Sequence, residues 1–170
     1  MATPRHPPNA PESDKRTYTR GITSSRANDA TPLASFVGRD DFQSFGELLR
    51  YLRLTYGERT GQNRPGSPKI TLTALSLIDC LTDCGYPSMT SGSYSLLESG
   101  KTLPKDPDLF LDAIYQCLAI GPADKYRVLL RQQYAYDLLA RHAGPELAAA
   151  MVPRGAEALR LASSHTDDRQ

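Results

Sequence analysis

Apolar residues recur at α-helical spacing along the chain from about residue 44 onward. The clearest pattern follows Asp106, a favourable helix N-cap, and Pro107, which fits the first helical position. From Phe110 to Leu118 the apolar residues follow the i, i+3, i+4, i+7 and i+8 positions, and a Gly-Pro pair then ends the helix. Similar patterns predict helices near 44–58, 71–84, 90–99 and 123–142, and one or two short helices within 146–161. Because no alternating strand pattern occurs, the sequence predicts an all-α fold.

The segment from Tyr94 to Pro104 predicts the end of a short amphipathic helix. Tyr94 and Leu97 place an apolar stripe inward, and most of the side chains around them are small and polar. Gly100 fits the left-handed position that ends many helices, because glycine has no Cβ to clash there. A helix with a small, hydroxyl-rich outer face suits insertion into a groove better than it suits catalysis.

These residues resemble the lambda-repressor-like (Xre family) helix-turn-helix domain. In that family a helix with the pattern L-x-x-x-L-x-x-x-G precedes a recognition helix that ends in I-E-x-G-x-x-x-P. Here Leu77, Leu81 and Gly85 match the first pattern, and the segment Leu-Glu-Ser-Gly-Lys-Thr-Leu-Pro at 97–104 is similar to the second. The resemblance covers residues 42–121 and differs from the family in a Gly/Pro-rich insertion at 61–69.

The resemblance implies that the helix at 90–99 enters the major groove of double-stranded DNA. The family's base-contact positions hold small or apolar residues here, so base readout would depend on close backbone approach, hydroxyl groups, thymine methyl contacts and DNA shape. Glu98 is expected to pair with a basic or backbone group as a structural residue. The residues expected at base edges are Ser91, Gly92, Ser95 and Leu96, and those expected at phosphates are Ser88, Thr90, Lys101, Arg64 and Lys69.

Charge does not mark the whole chain as a nucleic-acid binder. Lys and Arg number 20 against 19 Asp and Glu, which gives a formal net charge of +1. Affinity for DNA would therefore depend on local clusters of basic residues. One such cluster, opposed in sequence by Glu47 and Glu58, contains Arg50, Arg53, Arg59, Arg64 and Lys69.

Composition divides the chain into four parts. Residues 1–41 are rich in Pro, Ser, Thr, Arg and Asp and are expected to form a disordered arm, either a solubilising tail or a segment that follows DNA. The helix-turn-helix domain is expected at 42–121, a helical extension at 122–163, and a disordered tail at 164–170. Apolar residues cover more than one face of the helix at 123–142, which favours a homodimer through this extension.

The sequence offers no convincing catalytic or metal-binding pattern. An odd number of cysteines, all in predicted helices, argues against a disulfide framework. Cys80 and Cys84 lie one helical turn apart without a nearby histidine, so core packing is favoured over metal binding. Tyr126, Tyr134 and Tyr136 suit packing or a dimer contact better than a ligand pocket. Without a nucleophile–base pair or a phosphate-binding loop, neither an enzyme nor a cofactor is expected.

Localisation and function follow from these observations as expectations. No apolar run approaches the ~18 residues of a membrane helix, and the N-terminus lacks a signal-peptide core, so a cytoplasmic protein is expected. The leading interpretation is a sequence-specific DNA-binding transcriptional regulator. The alternative is a protein-interaction module that keeps the helix-turn-helix fold without DNA binding, and the near-neutral charge and Leu96 favour it.

Overall fold

The computed structural model describes residues 42–167, with side chains through Ser164. Its helices are α1 (Phe45–Leu54), α2 (Tyr56–Arg59), α3 (Ala74–Asp83), α4 (Ser91–Glu98), α5 (Pro107–Cys117), α6 (Lys125–Ala143), α7 (Pro145–Met151) and α8 (Gly155–Asp167). No strand occurs in this span, so the all-α prediction is confirmed. Within the same residues, no helix is both long enough and apolar enough to cross a bilayer. The predicted arm at 1–41 lies outside the described residues, as do residues 168–170.

A hydrophobic core joins α1 to helices α3–α6. The rings of Phe45 and Phe110 pack with their centroids 6.1 Å apart, and Tyr134 meets the Phe45 ring edge-on at 5.7 Å. These contacts join α1, α5 and α6, and α3 and α4 contribute further apolar side chains. The largest fully buried side chains are Tyr94, Phe45, Phe110, Leu48, Leu49, Leu52, Leu77, Leu81, Leu97, Ile114, Leu118 and Leu130.

Helix α1 lies directly against the carboxyl end of α4. Gly46 allows this approach, because a Cβ at that position would overlap the carbonyl oxygen of Leu97 and lie 2.6 Å from that of Glu98. Farther along α1, Arg53 forms a two-point ion pair with Glu98, with Nε–Oε1 at 2.7 Å and Nη2–Oε2 at 2.9 Å. Glu98 is therefore a structural residue, which confirms the expectation from sequence.

Helices α7 and α8 each pack on α6, and α6 also packs on α1. Leu129 and Leu130 are buried in the core, so part of the apolar coverage that suggested a dimer interface is used within the chain. The carboxylate of Asp137 accepts hydrogen bonds from the Phe45 backbone N–H at 2.7 Å and from Gln133 Nε2 at 2.8 Å. Burial raises the pKa of Asp137, although these two donors oppose the shift.

The three tyrosines of α6 make contacts within the chain. The Tyr126 hydroxyl lies 3.3 Å from the Tyr51 hydroxyl, and the Tyr134 hydroxyl donates to the carbonyl of Pro104 at 3.3 Å. Tyr136 lies beneath the guanidinium of Arg154, 4.0 Å from its ring centroid. These contacts agree with the predicted packing role.

Several helix boundaries differ from the sequence predictions, among them the end of the first helix and the end of the extension. The helix predicted at 44–58 breaks at Thr55, because the Gly57 N–H donates to the carbonyl of Ile70 in the following loop at 3.0 Å. The extension does not end at residue 163, since α8 continues to Asp167. The break at Thr55 depends on a long-range hydrogen bond, and the end of α8 is marked only by weak local signals in the sequence.

The expectation about cysteine pairing was wrong. Cys80 of α3 and Cys117 at the end of α5 form a disulfide, with their Cα atoms 5.8 Å apart. Cys84 remains a thiol, and its Sγ lies 3.7 Å from Cys117 Sγ. Counting cysteines could not anticipate this pairing, because the packing of α3 against α5 brings together residues that are 37 positions apart.

Candidate functional site

Helices α3 and α4 follow each other in the chain and have similar caps at both ends. The side chains of Thr73 and Thr90 each accept a backbone hydrogen bond at 3.1 Å at the start of their helix. Gly85 follows α3 with φ +86°, and Gly100 follows α4 with φ +70°. In both cases the residue after the glycine donates to a carbonyl of the last helical turn, as in a Schellman motif. The prediction of a positive φ at Gly100 is confirmed.

Helix α4 has one buried face and one exposed face. Tyr94 and Leu97 are fully buried. The four residues expected at base edges are all exposed, namely Ser91, Gly92, Ser95 and Leu96. None of them is charged, and a Cβ added to Gly92 would meet only the Thr90 hydroxyl, at 3.8 Å. A partner surface can therefore approach the α4 backbone closely on this side.

A mostly buried polar cluster holds α4 in place. Glu98 accepts a hydrogen bond from the Tyr94 hydroxyl at 2.8 Å in addition to its ion pair with Arg53. Arg53 Nη1 also donates to the carbonyl of Leu72, just before α3, at 2.8 Å. Burial, followed by the nearby Glu98 charge, raises the pKa of Tyr94, so its hydroxyl remains a hydrogen-bond donor. The cluster fixes the direction in which the exposed face of α4 points.

Two basic residues lie at the carboxyl end of α4. Lys101 is exposed immediately after the Gly100 cap. Arg141 of α6 donates from Nη2 to the carbonyl of Gly100 at 2.7 Å and from Nη1 to that of Lys101 at 3.3 Å. Arg141 is itself exposed, so it adds a second positive charge beside Lys101. Sequence reasoning missed this residue, because its place at α4 depends on how α6 packs.

A groove of about 450 Å³ lies between the α3–α4 turn and the connection from α4 to α5. Its walls bring together Ser88, Thr90 and Leu96, three of the residues selected from the sequence. Lys105 also lines the groove and is exposed. The side chain of Leu96 is 44% exposed, which is high for a large apolar residue. The groove therefore combines hydroxyl groups, an apolar edge and one cation.

The other two residues expected at phosphates lie in the loop between α2 and α3. Arg64 is exposed beside a shallow depression that also includes Gln62 and Ile70. Lys69 pairs with Glu58 at 2.9 Å on the surface. Neither residue shares the groove beside α4, so the structure does not gather the complete set of predicted contacts.

The basic cluster seen in the sequence includes structural residues. Arg53 is paired with Glu98. The Arg59 guanidinium donates to the carbonyls of Leu52 and Leu118 at 3.1 and 3.0 Å, and burial lowers its pKa. These two arginines hold the fold together, and they do not form part of an open basic surface.

Comparison of the chain with protein-family models, curated proteins and solved structures found no match. The resemblance to the lambda-repressor-like family therefore rests on the sequence motif alone.

Proposed function

We propose that the chain is a sequence-specific DNA-binding transcriptional regulator that inserts α4 into the major groove. The observation that supports this most strongly is the exposed, uncharged face of α4, held in a fixed direction by the Glu98–Arg53 pair. Small side chains at Ser91, Gly92 and Ser95 would bring the helix backbone close to base edges. An α-helix fits the width of the major groove of B-form DNA.

Two kinds of contact with DNA would contribute to binding, namely contacts to base edges and contacts to phosphates. Hydroxyl groups on Ser91 and Ser95 would reach polar base edges, and Leu96 would contact thymine methyl groups. Lys101 and Arg141 would meet phosphates beyond the carboxyl end of α4, which position the protein without reading sequence. The expected phosphate contacts also include Ser88, Thr90, Arg64 and Lys69, and Lys69 would have to exchange Glu58 for a phosphate.

Binding as a homodimer is part of the proposal. Leu138 of α6 is 39% exposed, and Leu147 and Met151 of α7 are 45% and 65% exposed. Leu147 and Met151 are one turn apart on the same helix, so they can share one apolar surface. A two-fold dimer would place two copies of α4 in successive major grooves, about 34 Å apart.

Selection of duplexes from a random pool by the full-length protein tests the proposal. The expected result is an enriched sequence with two related half-sites about one helical turn of DNA apart. The Leu96→Asp variant should lose the enrichment, because its carboxylate would face electronegative base edges and phosphates. Recovery of no common sequence by the wild-type protein would contradict the proposed function.

The second candidate function is a protein-interaction module, which the groove beside α4 favours. Leu96 offers an apolar contact there, and the four central positions of the exposed face lack long polar side chains. In this case wild-type protein would select no DNA, whereas Leu96→Asp would abolish capture of a specific protein partner. The two functions thus predict opposite results for the wild-type selection.

A further inference from the structure

Three cysteine sulfurs converge between α3 and α5. Cys80 and Cys84 lie one helical turn apart near the end of α3, and Cys117 is the last residue of α5. Their Sγ atoms all lie within 4.8 Å of one another. The Cys80–Cys117 disulfide uses two of them, and the thiol of Cys84 faces Cys117 across 3.7 Å.

The placement of these cysteines suits a metal ion with three thiolate ligands once the disulfide is reduced. Metal–sulfur bonds of about 2.3 Å place the sulfurs of a trigonal site about 4 Å apart. Side-chain rotation can provide that spacing once the disulfide is reduced, because the Cα atoms of Cys80 and Cys117 are only 5.8 Å apart. The required sulfur positions therefore need no movement of the helices.

The ligand set indicates which metal would bind. No histidine or carboxylate belongs to the cluster among the described residues. Gln116 Oε1 lies 3.9 Å from Cys84 Sγ, and a neutral amide oxygen is a poor ligand for a soft metal. Structural zinc sites normally use four nitrogen or sulfur ligands, whereas soft thiolates also select Cu(I). A three-sulfur set thus fits Cu(I) better than zinc.

We propose that Cys80, Cys84 and Cys117 bind one Cu(I) ion when the disulfide is reduced. A phosphine reductant supplies the two electrons for cleavage of the S–S bond, water supplies two protons and the oxygen, and the products are two thiols and a phosphine oxide. The three thiols then lose three protons and form three Cu–S bonds, with no change in the oxidation state of copper. The disulfide and the metal are alternative links between α3 and α5, so the oxidised chain lacks the site.

Titration of the full-length protein with Cu(I) under anaerobic conditions tests this proposal. The protein is reduced with a phosphine, freed of reductant, and mixed with Cu(I) held by a coloured chelator, whose loss of colour reports transfer of the metal. The expected result is one Cu(I) per chain, with new ultraviolet sulfur-to-copper absorption. The oxidised protein should take up no stoichiometric copper.

Two variants separate the cluster from incidental thiol binding. Cys84→Ser keeps the Cys80–Cys117 pair and should fold, but its Cu(I) affinity should fall by more than about 100-fold, since losing even an outer partner of a metal ligand costs about 10- to 100-fold. Thr82→Ala, on the exposed surface of α3, should bind copper like wild type. Equal affinity in reduced wild type and Cys84→Ser, or equal uptake by the oxidised chain, would overturn the proposal.

Discussion

Substitution of Gly46 by alanine tests the contact between α1 and α4 that positions the exposed face. Helix propensity alone predicts that Gly46→Ala stabilises the protein by about 1 kcal/mol, because the position is inside α1. The structure predicts the opposite sign. A Cβ at position 46 would overlap the carbonyl oxygen of Leu97 and lie 2.6 and 2.8 Å from the carbonyl oxygen and carbon of Glu98.

The magnitude follows from the rigidity of those neighbours. Overpacking of a filled core costs about 1–3 kcal/mol, and the upper end applies here because the obstructing atoms belong to the backbone. After subtraction of the propensity gain, the free energy of unfolding should fall by about 2 kcal/mol. A chain of this size should then lose roughly 5 °C or more in melting temperature.

Urea unfolding followed by far-ultraviolet circular dichroism measures this effect. The matched control is Gly92→Ala in α4, where the added methyl group meets only the Thr90 hydroxyl at 3.8 Å. This control should be neutral or stabilise the protein by up to about 1 kcal/mol. If Gly46→Ala proved as stable as wild type, α1 could not lie against the end of α4 as described.

Three further predictions concern the elements around α4. Gly100→Val should destabilise the protein by about 2 kcal/mol in the same urea assay, because φ is +70° and the new Cβ would meet the Ser44 hydroxyl at 3.1 Å; an unchanged midpoint would contradict the assigned cap. Glu98→Gln should lower the free energy of unfolding by about 2 kcal/mol, because it leaves a mostly buried arginine without its charged partner. The same change at the exposed Glu58 should lower it by less than about 0.5 kcal/mol. Equal effects of the two substitutions would refute the structural role of Glu98. Burial raises the pKa of Asp137, so the folded chain binds a proton there more tightly than the unfolded chain does, and the stability contributed by this group falls as pH rises above the ordinary value of 3.8. The free energy of unfolding of wild type relative to Asp137→Asn should therefore decrease as the pH is raised from about 3.8. Parallel pH profiles of the two proteins would argue against a raised pKa of Asp137.

Local signals account for the parts of the fold that the sequence predicted well. Asp106 caps α5 by accepting the Leu109 N–H at 3.2 Å, and Pro107 is the first helical residue, as their positions indicated. Gly100 takes the left-handed conformation expected of a glycine that follows the last turn of a helix. Such signals need no knowledge of tertiary packing.

Features that depend on packing between distant elements could not be predicted. The break at Thr55 requires the Gly57–Ile70 hydrogen bond, and the position of Arg141 beside α4 requires the observed path of α6. For the candidate site, the sequence identified the exposed residues of α4, but it could not show that Arg53 is already paired within the chain. Charge counted along the sequence therefore overestimated the exposed basic surface.

The salt dependence of binding to a selected duplex tests the central claim most directly. Fluorescence anisotropy would compare wild type with Ser91→Glu on the exposed face of α4, and with Ala149→Glu, which adds the same charge at an exposed position of α7. We expect wild type and Ala149→Glu to bind with an affinity that falls as the salt concentration rises, and Ser91→Glu not to bind. A third variant, Lys101→Ala, should flatten the slope of log affinity against log salt concentration by about one unit. Salt-insensitive binding, or equal affinity of the two glutamate variants, would contradict the insertion of α4 into the major groove.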